Sequence, residues 1–319
     1  MVSVTMQPYR VGSVGMKTKI LGRTGIEVST VGLGAGFVGM AGLESGPEII
    51  KAAVEAGCTL VDTAPLYGDS ELTIGKAFKQ YPELRDKCTV TTKAGRFKGG
   101  TDHSFDGILR SVEKSQERLG IEQFQIIYIH DAMGVPMENV MSKDGTLGAL
   151  RKLQDEGIVR YIGSAANDPE TNAPYIETGE FDVAVVPDAW SLINQTALEH
   201  ILPAAEKHDV GIVCATPLET GLLATGASQI PQGARRNFSA ECIAHVGKIE
   251  DLSSQYDIPL LAASLQWCSR HPQVATAIPG AKTMDEAIAN AKAGELEIPD
   301  TFWDDLAPLI RHWEHVVQL

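Results

Sequence analysis

The sequence lacks the features that mark membrane, secreted and nucleic-acid-binding proteins. No apolar run in its 319 residues approaches the roughly 20 residues that a membrane-spanning helix needs. The residues before Lys17 show no charged stretch followed by an apolar one, so they do not resemble a signal peptide. The net charge of −14, without any basic run, argues against nucleic acid or an anionic membrane as a partner. We therefore expect a cytoplasmic protein that acts on a small molecule.

Cysteine is also scarce: the chain has five, an odd number without close pairs. Cys58, Cys88 and Cys214 lie at or beside apolar, strand-like runs, where a free thiol packs as a small hydrophobe. We expect all five to be reduced and none to bind a metal. His312 and His315 lie three residues apart near the C-terminus, but no further cysteine or carboxylate motif accompanies them. They too are expected to bind no metal.

What the sequence does contain is an alternation of short β-rich runs with longer helical patterns, from about Ser29 to Ala293. Several of the runs are apolar on both faces, as strands buried beneath a helical layer are. Eight parallel strands joined by helices predict a closed (β/α)8 barrel, the TIM-barrel fold. The strand candidates are Thr30–Leu33, Thr59–Asp62, Thr89–Lys93, Gln125–His130, Val159–Ser164, Asp182–Val186, Gly211–Ala215 and Thr276–Ile278. The helical patterns are Pro47–Ala56, Ser104–Leu119, Thr146–Glu156 and Thr196–His208.

Two additions lie outside this repeat. Lys17–Val28, with a turn at Thr24-Gly25, is interpreted as a β-hairpin that plugs the N-terminal end of the barrel. Asp300–Val317 is interpreted as an extra C-terminal helix. Because no linker or break in composition divides the chain, residues 17–319 are expected to form one catalytic domain, preceded by a flexible extension over residues 1–16.

One motif points to a different nucleotide-binding fold. The segment from Gly34 to Gly39 reads G-A-G-F-V-G after a strand, and Asp62 ends the next strand as a ribose-binding acid would. In a Rossmann fold, however, the third glycine lies inside the helix that the motif opens. Here the helical pattern begins only at Pro47, so a glycine loop at the mouth of the first strand is the preferred interpretation.

Polar side chains end three consecutive strand candidates. Asp62 ends the second, with Tyr67 just beyond it, Lys93 ends the third and His130 ends the fourth. Taken alone, each has a structural explanation: Asp62 could cap a turn, Lys93 could lie at the rim of the fold, and His130 could be a hydrogen-bonded core residue. In a (β/α)8 barrel, however, all four meet at the mouth where chemistry occurs. A charge that ends an apolar run is costly unless it is paired or used, so the group favours a catalytic site.

These four side chains suit proton transfer to or from an oxygen, coupled to a hydride shift. A tyrosine has a free pKa of about 10 and is a poor acid or base near neutral pH. A neighbouring lysine cation is expected to lower that pKa, and a carboxylate is expected to hold the lysine charged and in place. A histidine would orient the substrate by a hydrogen bond to its reacting oxygen. The hydride chemistry itself belongs to a cofactor.

At these residues the sequence resembles the aldo-keto reductase family. The segment from Asp62 to Glu71, D-T-A-P-L-Y-G-D-S-E, matches the family's D-T-A-x-x-Y-G-x-S-E signature, which holds the catalytic aspartate and tyrosine. Thr92-Lys93 matches the strand of the catalytic lysine, and residues 128–130 match that of the catalytic histidine. The likeness runs from a hairpin at residues 21–29 to a last cofactor loop at 278–281. It implies a (β/α)8 oxidoreductase with a nicotinamide dinucleotide.

Within the family, the chain most resembles aldose 1-dehydrogenases that act on L-galactose, L-fucose and related sugars. Residues 93–98, 130–131 and 215–223 carry this likeness. It implies that Asp131 contacts the sugar and that Tyr67 acts as a base toward the anomeric hydroxyl, giving a lactone. The implied cofactor contacts are Asn167, Leu218, Gly221, Leu223, Pro279, Gly280, Lys282, Glu286 and Asn290.

The sequence departs from the family pattern around the predicted mouth. Most members carry adjacent serine and asparagine after the fifth strand for the nicotinamide carboxamide, whereas here Asn167 follows two alanines. The sugar dehydrogenases place asparagine at this position. The usual glutamine of the sixth strand is Val185, and the aromatic residue that stacks on nicotinamide is Ala215. Trp190 is expected to supply an aromatic wall instead, with a core or rim position as the alternative.

The loop after the last strand bears on the choice of cofactor. Members that prefer NADP commonly have a lysine right after the proline and an arginine further along the helix, both for the 2′-phosphate. Here those positions hold Gly280 and Glu286, and Lys282 is the only nearby cation. A carboxylate at Glu286 would repel the phosphate, so we expect NAD to be preferred over NADP. The alternative interpretation of Glu286 is that it is a solvent-exposed acid in the first turn of a helix, where a negative charge is favourable, with no role in cofactor choice.

The resulting hypothesis is an NAD-dependent aldose 1-dehydrogenase. The same site run in reverse would be an NAD(P)H-dependent reductase of aldehydes or ketones. An alternative from another class is a nucleotide-binding regulatory subunit, similar to the potassium-channel β subunits that share this fold. The presence of all four catalytic side chains argues against that alternative.

Overall fold

Eight parallel strands form a barrel in the computed structural model, which describes residues 15–229, 236–314 and 316–317. Each strand pairs in parallel with the next one along the barrel. Parallel bridges between Val31 and Ala277 and between Gly34 and Gly280 join the first strand to the last. The strands are β1 (Leu33–Gly34), β2 (Leu60–Asp62), β3 (Thr89–Ala94), β4 (Phe124–His130), β5 (Val159–Ala165), β6 (Val183–Val186), β7 (Gly211–Ala215) and β8 (Val274–Ile278).

The predicted (β/α)8 barrel is therefore confirmed. Seven of the eight strand predictions lie within two residues of the observed ends. The first differs most, because only Leu33–Gly34 has regular strand pairing where Thr30–Leu33 was predicted. This barrel topology also excludes the Rossmann alternative.

The α-helices surround the barrel and pack on its outer face. None of those in the described residues is long and apolar enough to cross a membrane. They are α1 (Gly42–Glu55), α2 (Ser70–Gln80), α3 (Phe105–Leu119), α4 (Met137–Val140), α5 (Thr146–Asp155), α6 (Pro169–Glu177), α7 (Ile201–His208), α8 (Leu222–Thr225), α9 (Ala240–Gln255), α10 (Leu260–Arg270), α11 (Met284–Glu295) and α12 (Asp300–Leu306).

Helix α1 begins at Gly42, five residues before the predicted start at Pro47. A proline inside a helix has no N–H to donate to the carbonyl four residues earlier, which here belongs to Leu43. The ammonium of Lys76 on α2 donates to that carbonyl instead, at 2.6 Å. A tertiary contact therefore supplies the hydrogen bond that the proline lacks. The predicted helix start at Pro47 is therefore wrong, and the barrel topology alone excludes the Rossmann fold.

Two other helix predictions were too long. The predicted helix Thr196–His208 is a short 3-10 turn over Thr196–Leu198 followed by α7. The predicted C-terminal helix ends at Leu306, and a 3-10 turn, Ala307–Leu309, follows it. Pro308 lies in this turn, and because it has no N–H it cannot donate to the carbonyl of Asp304 and extend the α-helix. Residues 316–317 form a short strand with residues 236–237, and His315 lies outside the described residues.

The N-terminal hairpin closes the N-terminal end of the barrel, as predicted. Its strands, Thr18–Ile20 and Glu27–Ser29, are antiparallel. The N–H of Arg23 in its turn donates to the carbonyl of Asp209, just before β7, at 2.9 Å. Leu21 of the hairpin is fully buried among the side chains that fill the barrel interior. Of the expected flexible extension, residues 1–14 lie outside the described residues.

Candidate active site

Asp62 and Lys93 form a buried ion pair at the carboxyl ends of β2 and β3. Asp62 lies opposite Thr91 in the register of these strands. Because Thr91 and Lys93 are two residues apart, their side chains point to the same face of β3. One carboxylate oxygen of Asp62 accepts from the Lys93 ammonium, and the other accepts from the Thr91 hydroxyl at 2.9 Å. The strand register thus delivers both hydrogen-bond donors to one carboxylate.

The ammonium of Lys93 keeps its charge in this buried position. Burial disfavours the cation, but the carboxylate of Asp62 and the hydroxyl of Tyr67 outweigh it and raise the pKa of Lys93 above its usual value. The same ammonium also donates to the carbonyl of Thr63 at 2.9 Å. The site therefore holds a fixed positive charge next to Tyr67.

Tyr67 lies on the loop after β2, with its ring between Lys93 and His130. The Lys93 nitrogen is 4.9 Å from the centre of the ring, and the His130 ring meets it edge to face at 6.0 Å. Burial raises the pKa of Tyr67 above its usual value, Lys93 acts in the opposite direction, and Asp62 raises the pKa further. The predicted influence of Lys93 is thus present, but the predicted net lowering is wrong. In the free protein the phenol is protonated at neutral pH.

His130 ends β4 and is 4% exposed. Burial lowers the pKa of His130 well below its usual value, and the cations Lys93 and Arg96 act in the same direction. The imidazole is therefore neutral near pH 7. Its Nδ1 has no hydrogen-bond partner in the described part of the chain, and its Nε2 lies 3.6 Å from a carboxylate oxygen of Asp131. A neutral imidazole beside a phenol can donate one hydrogen bond to a substrate oxygen.

Asp131 extends the polar cluster past His130. It is 5% exposed and has a φ of 46°, a left-handed conformation that is costly for a residue other than glycine. Its carboxylate accepts from the Arg96 guanidinium and from the backbone N–H of Asn167, the latter at 3.0 Å. Asp131 and Asn167, two of the residues expected to bind ligands, thus lie together beside the catalytic four.

The loop after β7 has a strained backbone. Glu219, Thr220 and Gly221 have successive φ values of 47°, 54° and 106°. The hydroxyl oxygen of Thr220 is buried without a hydrogen-bond partner among the described residues. This hydroxyl is therefore available to donate a hydrogen bond to an acceptor atom of a bound ligand. Of the expected cofactor residues here, Leu218 and Gly221 are partly exposed, whereas the side chain of Leu223 is fully buried. Thr220 and Gly221 therefore fit a dinucleotide better than Leu223 does.

The loop after β8 and the helix that follows it, α11, hold five more of the expected cofactor residues. The carbonyl of Pro279 accepts from the N–H of Gly34 and so helps to close the barrel, at 2.9 Å. Asn290, 7% exposed, donates to the carbonyl of Gly280 at 3.2 Å. A Cβ on Gly280 would lie 2.6 Å from the ring of Phe37, and the same ring lies 5.1 Å from the Lys282 nitrogen. This side of the mouth is therefore shaped around Phe37.

Glu286 has a local structural role. Its carboxylate accepts from the backbone N–H of Lys282 at 2.6 Å, and its own N–H donates to the Thr283 hydroxyl at 3.1 Å. Thr283 is the N-cap of α11. These contacts support the alternative interpretation of Glu286 as an acid in the first turn of a helix. The side chain is nevertheless exposed, so its charge also acts on the surface near Lys282.

Trp190 lies away from this cluster. It is 5% exposed, and its indole N–H donates to the carbonyl of Cys268 on α10 at 3.0 Å. Its ring stacks on Trp267, with centres 4.4 Å apart, and meets His271 edge to face. The ammonium of Lys19 in the N-terminal hairpin binds the carbonyl of His271, so this end of α10 lies far from the mouth. The expected aromatic wall is therefore corrected: Trp190 packs between the barrel and α10.

Three residues at the mouth were not singled out from the sequence. Arg96 follows Lys93 by three residues in a segment that resembles the sugar dehydrogenases, but its pairing with Asp131 needs the fold. Phe37 and Thr220 lie in loops that were expected at the mouth. A cation directly after a catalytic strand was the one signal available for Arg96.

Comparison with known proteins gives a consistent result. Residues 32–311 match the model of the aldo/keto reductase family. In structure, the chain is similar to an aldo-keto reductase from Bacillus halodurans in its holo form, with a TM-score of 0.77 and 25% identity. This likeness covers 92% of the chain and 96% of that protein.

Curated relatives with different activities align over most of their length. A pyridoxal 4-dehydrogenase of Microbacterium luteolum is 27% identical, covering 90% of this chain and 96% of the relative. A D-threo-aldose 1-dehydrogenase of a Pseudomonas species is 29% identical, covering 89% of this chain and 94% of the relative. An NADH-specific methylglyoxal reductase of Escherichia coli is 28% identical, covering 89% of this chain and 95% of the relative.

Proposed function

The chain belongs to the aldo/keto reductase family of NAD(P)-dependent oxidoreductases, and we propose that it oxidises a free aldose at its anomeric carbon, C1, with NAD. The observation that carries the proposal is the arrangement at the mouth: a buried Asp62–Lys93 pair against Tyr67, beside a neutral His130. The product is a lactone.

Each catalytic side chain has a distinct task in this reaction. His130 donates a hydrogen bond to the anomeric oxygen and so places the hydroxyl next to Tyr67. Tyr67, once ionised, takes the hydroxyl proton while the C1–H bond breaks and C1 gains its double bond to oxygen. Lys93 stabilises the phenolate by its charge, and Asp62 holds Lys93 in place. A bound nicotinamide supplies the acceptor for the hydride that leaves C1.

The cofactor would lie across the mouth between the loops after β5, β7 and β8. Asn167 would bind the carboxamide, and Thr220 with Gly221 would contact the phosphates. Lys282, Glu286 and the Asn290-supported loop would surround the adenosine ribose. The orphaned hydroxyl of Thr220 and the exposed carboxylate of Glu286 support this assignment and the preference for NAD.

The polar lining of the site supports a sugar as substrate. Arg96, Asp131 and Asn167 form a hydrogen-bonded group directly beside His130. Of these, Arg96 and Asp131 can exchange hydrogen bonds with the hydroxyls of a sugar, while Asn167 supports Asp131 from its backbone N–H. The likeness to a D-threo-aldose 1-dehydrogenase agrees with this inference.

The second candidate is a carbonyl reductase that runs the same site in reverse. It is favoured by the raised pKa of Tyr67, because burial keeps the phenol protonated and so able to donate to a carbonyl oxygen. The likeness to a methylglyoxal reductase agrees with this direction.

Turnover assays in both directions separate the two candidates. The protein is incubated with NAD or NADP and a panel of free aldoses, and in parallel with NADH or NADPH and simple aldehydes and ketones. We expect NADH to form with one or more aldoses, with the lactone or its acid as product. Rapid reduction of simple carbonyls without oxidation of any aldose would establish the reductase instead.

A further inference from the structure

A second ion pair lies beside the catalytic one and has no part in the proton transfer. Asp131 has a side chain that is 3% exposed, whereas that of its partner Arg96 is 35% exposed at the mouth. We propose that this pair selects neutral substrates that carry a hydroxyl on the carbon next to the reacting one. The proposal rests on the proposed function, because it concerns the substrate of the same site.

The position of the pair relative to His130 defines which part of the substrate it meets. An Asp131 oxygen lies 3.6 Å from Nε2 of His130, the ring nitrogen that we assign here to the reacting oxygen. Oxygens on neighbouring carbons of a sugar are separated by about the length of a hydrogen bond. A sugar whose anomeric oxygen is bound to His130 therefore brings its C2 hydroxyl to Asp131 and Arg96.

Both members of the pair retain hydrogen-bonding capacity for that hydroxyl. A guanidinium has five N–H donors, and Arg96 uses only Nη1 in its contacts with the described residues. A carboxylate has about four acceptor sites, and that of Asp131 accepts from Arg96 and Asn167. The C2 hydroxyl can donate to Asp131 and accept from Arg96 at the same time.

The charges of the pair explain why a neutral substrate is favoured. Arg96 and Asp131 compensate each other, as Lys93 and Asp62 do. A substrate anion that took Arg96 away would leave the carboxylate of Asp131 buried without its partner. A substrate cation that took Asp131 would displace Arg96. The first exchange is costly because it leaves a buried carboxylate uncompensated. The second places the substrate cation beside the guanidinium of Arg96, which repels it.

The test compares three forms of one sugar on each enzyme variant. These are the best aldose from the panel, its 2-deoxy analogue and its 2-amino-2-deoxy analogue, which is a cation at about pH 7. The wild type should show kcat/KM at least about tenfold lower for the 2-deoxy sugar, since a buried polar site is left unpaired. It should also discriminate against the amino sugar.

Arg96→Gln is the decisive variant, because it leaves Asp131 as an uncompensated acceptor. The ratio of kcat/KM for the amino sugar to that for the parent sugar should rise about tenfold or more. Arg96→Lys keeps the charge and should retain the wild-type ratio of these two sugars. Arg110→Gln is the matched control, because it breaks an exposed Arg–Asp pair with Asp102 on the outer surface. It should change neither ratio.

Asp131→Asn is a second, independent variant. It should reduce the preference for the parent sugar over its 2-deoxy analogue, because the acceptor for the C2 hydroxyl is weakened. Ratios of two substrates on one preparation are independent of the active fraction, so partial misfolding does not obscure them. Unchanged ratios in Arg96→Gln and Asp131→Asn would overturn the inference while leaving aldose oxidation intact. Failure of the wild type to oxidise any aldose would overturn both proposals.

Discussion

The ammonium of Lys93 and the carboxylate of Asp62 form an ion pair in which neither side chain is more than 3% exposed. A buried pair of this kind contributes little net stability, because desolvation of the two ions offsets their attraction. Its value lies in the fixed position of the cation, 4.9 Å from the centre of the Tyr67 ring.

Lys93→Met should destabilise the fold as well as abolish activity, because it leaves Asp62 buried without its cation. We expect the free energy of unfolding to fall by about 3–5 kcal/mol, measured by urea denaturation. The double variant Asp62→Asn/Lys93→Met should recover part of that loss. Lys152→Met, which removes an exposed pair with Glu156, is the control and should change stability by less than about 1 kcal/mol. Equal stability of Lys93→Met and wild type would show that Asp62 is not held as a charge.

Tyr67→Phe should retain the fold and lose most turnover, because it removes only the transferable proton. A loss of about 10²–10⁴-fold in kcat is expected for sugar oxidation. Tyr161→Phe is the matched control: its hydroxyl donates to the carbonyl of Thr24 in the N-terminal hairpin, at 2.7 Å, far from the mouth. Wild-type rates for Tyr67→Phe at every pH would remove Tyr67 from the mechanism.

The rate of sugar oxidation should rise with pH, because oxidation needs the ionised form of Tyr67 and burial raises the pKa of this phenol. The reverse reduction needs the protonated form and should fall at high pH. The measurement is kcat/KM against pH in both directions at saturating cofactor. An oxidation rate that decreases as pH rises through the alkaline range would contradict the role of Tyr67 as base.

The buried neutral state of His130 should make stability depend on pH below the usual pKa of histidine, 6.5. Above that pH, both folded and unfolded states carry a neutral imidazole, and the stability is fully present. Below that pH, the imidazole is protonated in the unfolded state but stays neutral in the folded state. The free energy of unfolding therefore decreases as pH falls, by at most about 1.4 kcal/mol per pH unit.

His130→Gln should therefore show a shallower loss of unfolding free energy between about pH 7 and pH 5 than the wild type does. His103 and His271, whose pKa values are also lowered by burial, remain in the variant and keep a residual slope. His200→Gln, at a histidine with a 73% exposed side chain, is the control. Identical slopes in wild type and His130→Gln would mean that His130 is protonated in the fold.

Glu286→Arg should move cofactor preference toward NADP, because it replaces a repelling carboxylate with a partner for the 2′-phosphate. The ratio of kcat/KM for NADP to that for NAD should rise about tenfold or more. Glu286→Gln keeps an acceptor for the N–H of Lys282 while removing the charge, and so separates electrostatics from helix capping. A wild type that already prefers NADP would show that Lys282 outweighs Glu286.

The alternation of apolar runs and helical patterns was sufficient to predict the barrel and the places where its strands end. Asp62, Lys93 and His130 followed directly, because side chains at the carboxyl ends of adjacent parallel strands must meet at one mouth. Tyr67 was identified from its short distance along the chain from Asp62. These conclusions depend on local periodicity, which a single sequence displays.

Only the tertiary structure decided the features that depend on contacts between distant segments. Helix α1 accommodates Pro47, because Lys76 from the next helix donates to the carbonyl of Leu43 that Pro47 leaves without an N–H partner. Trp190 packs on α10 because its N–H reaches the carbonyl of Cys268, which lies 78 residues further along the chain. Arg96 meets Asp131 because β3 and β4 are neighbours. Hydrogen bonds and ion pairs of this kind depend on which segments the fold brings together, and local sequence patterns do not predict those contacts.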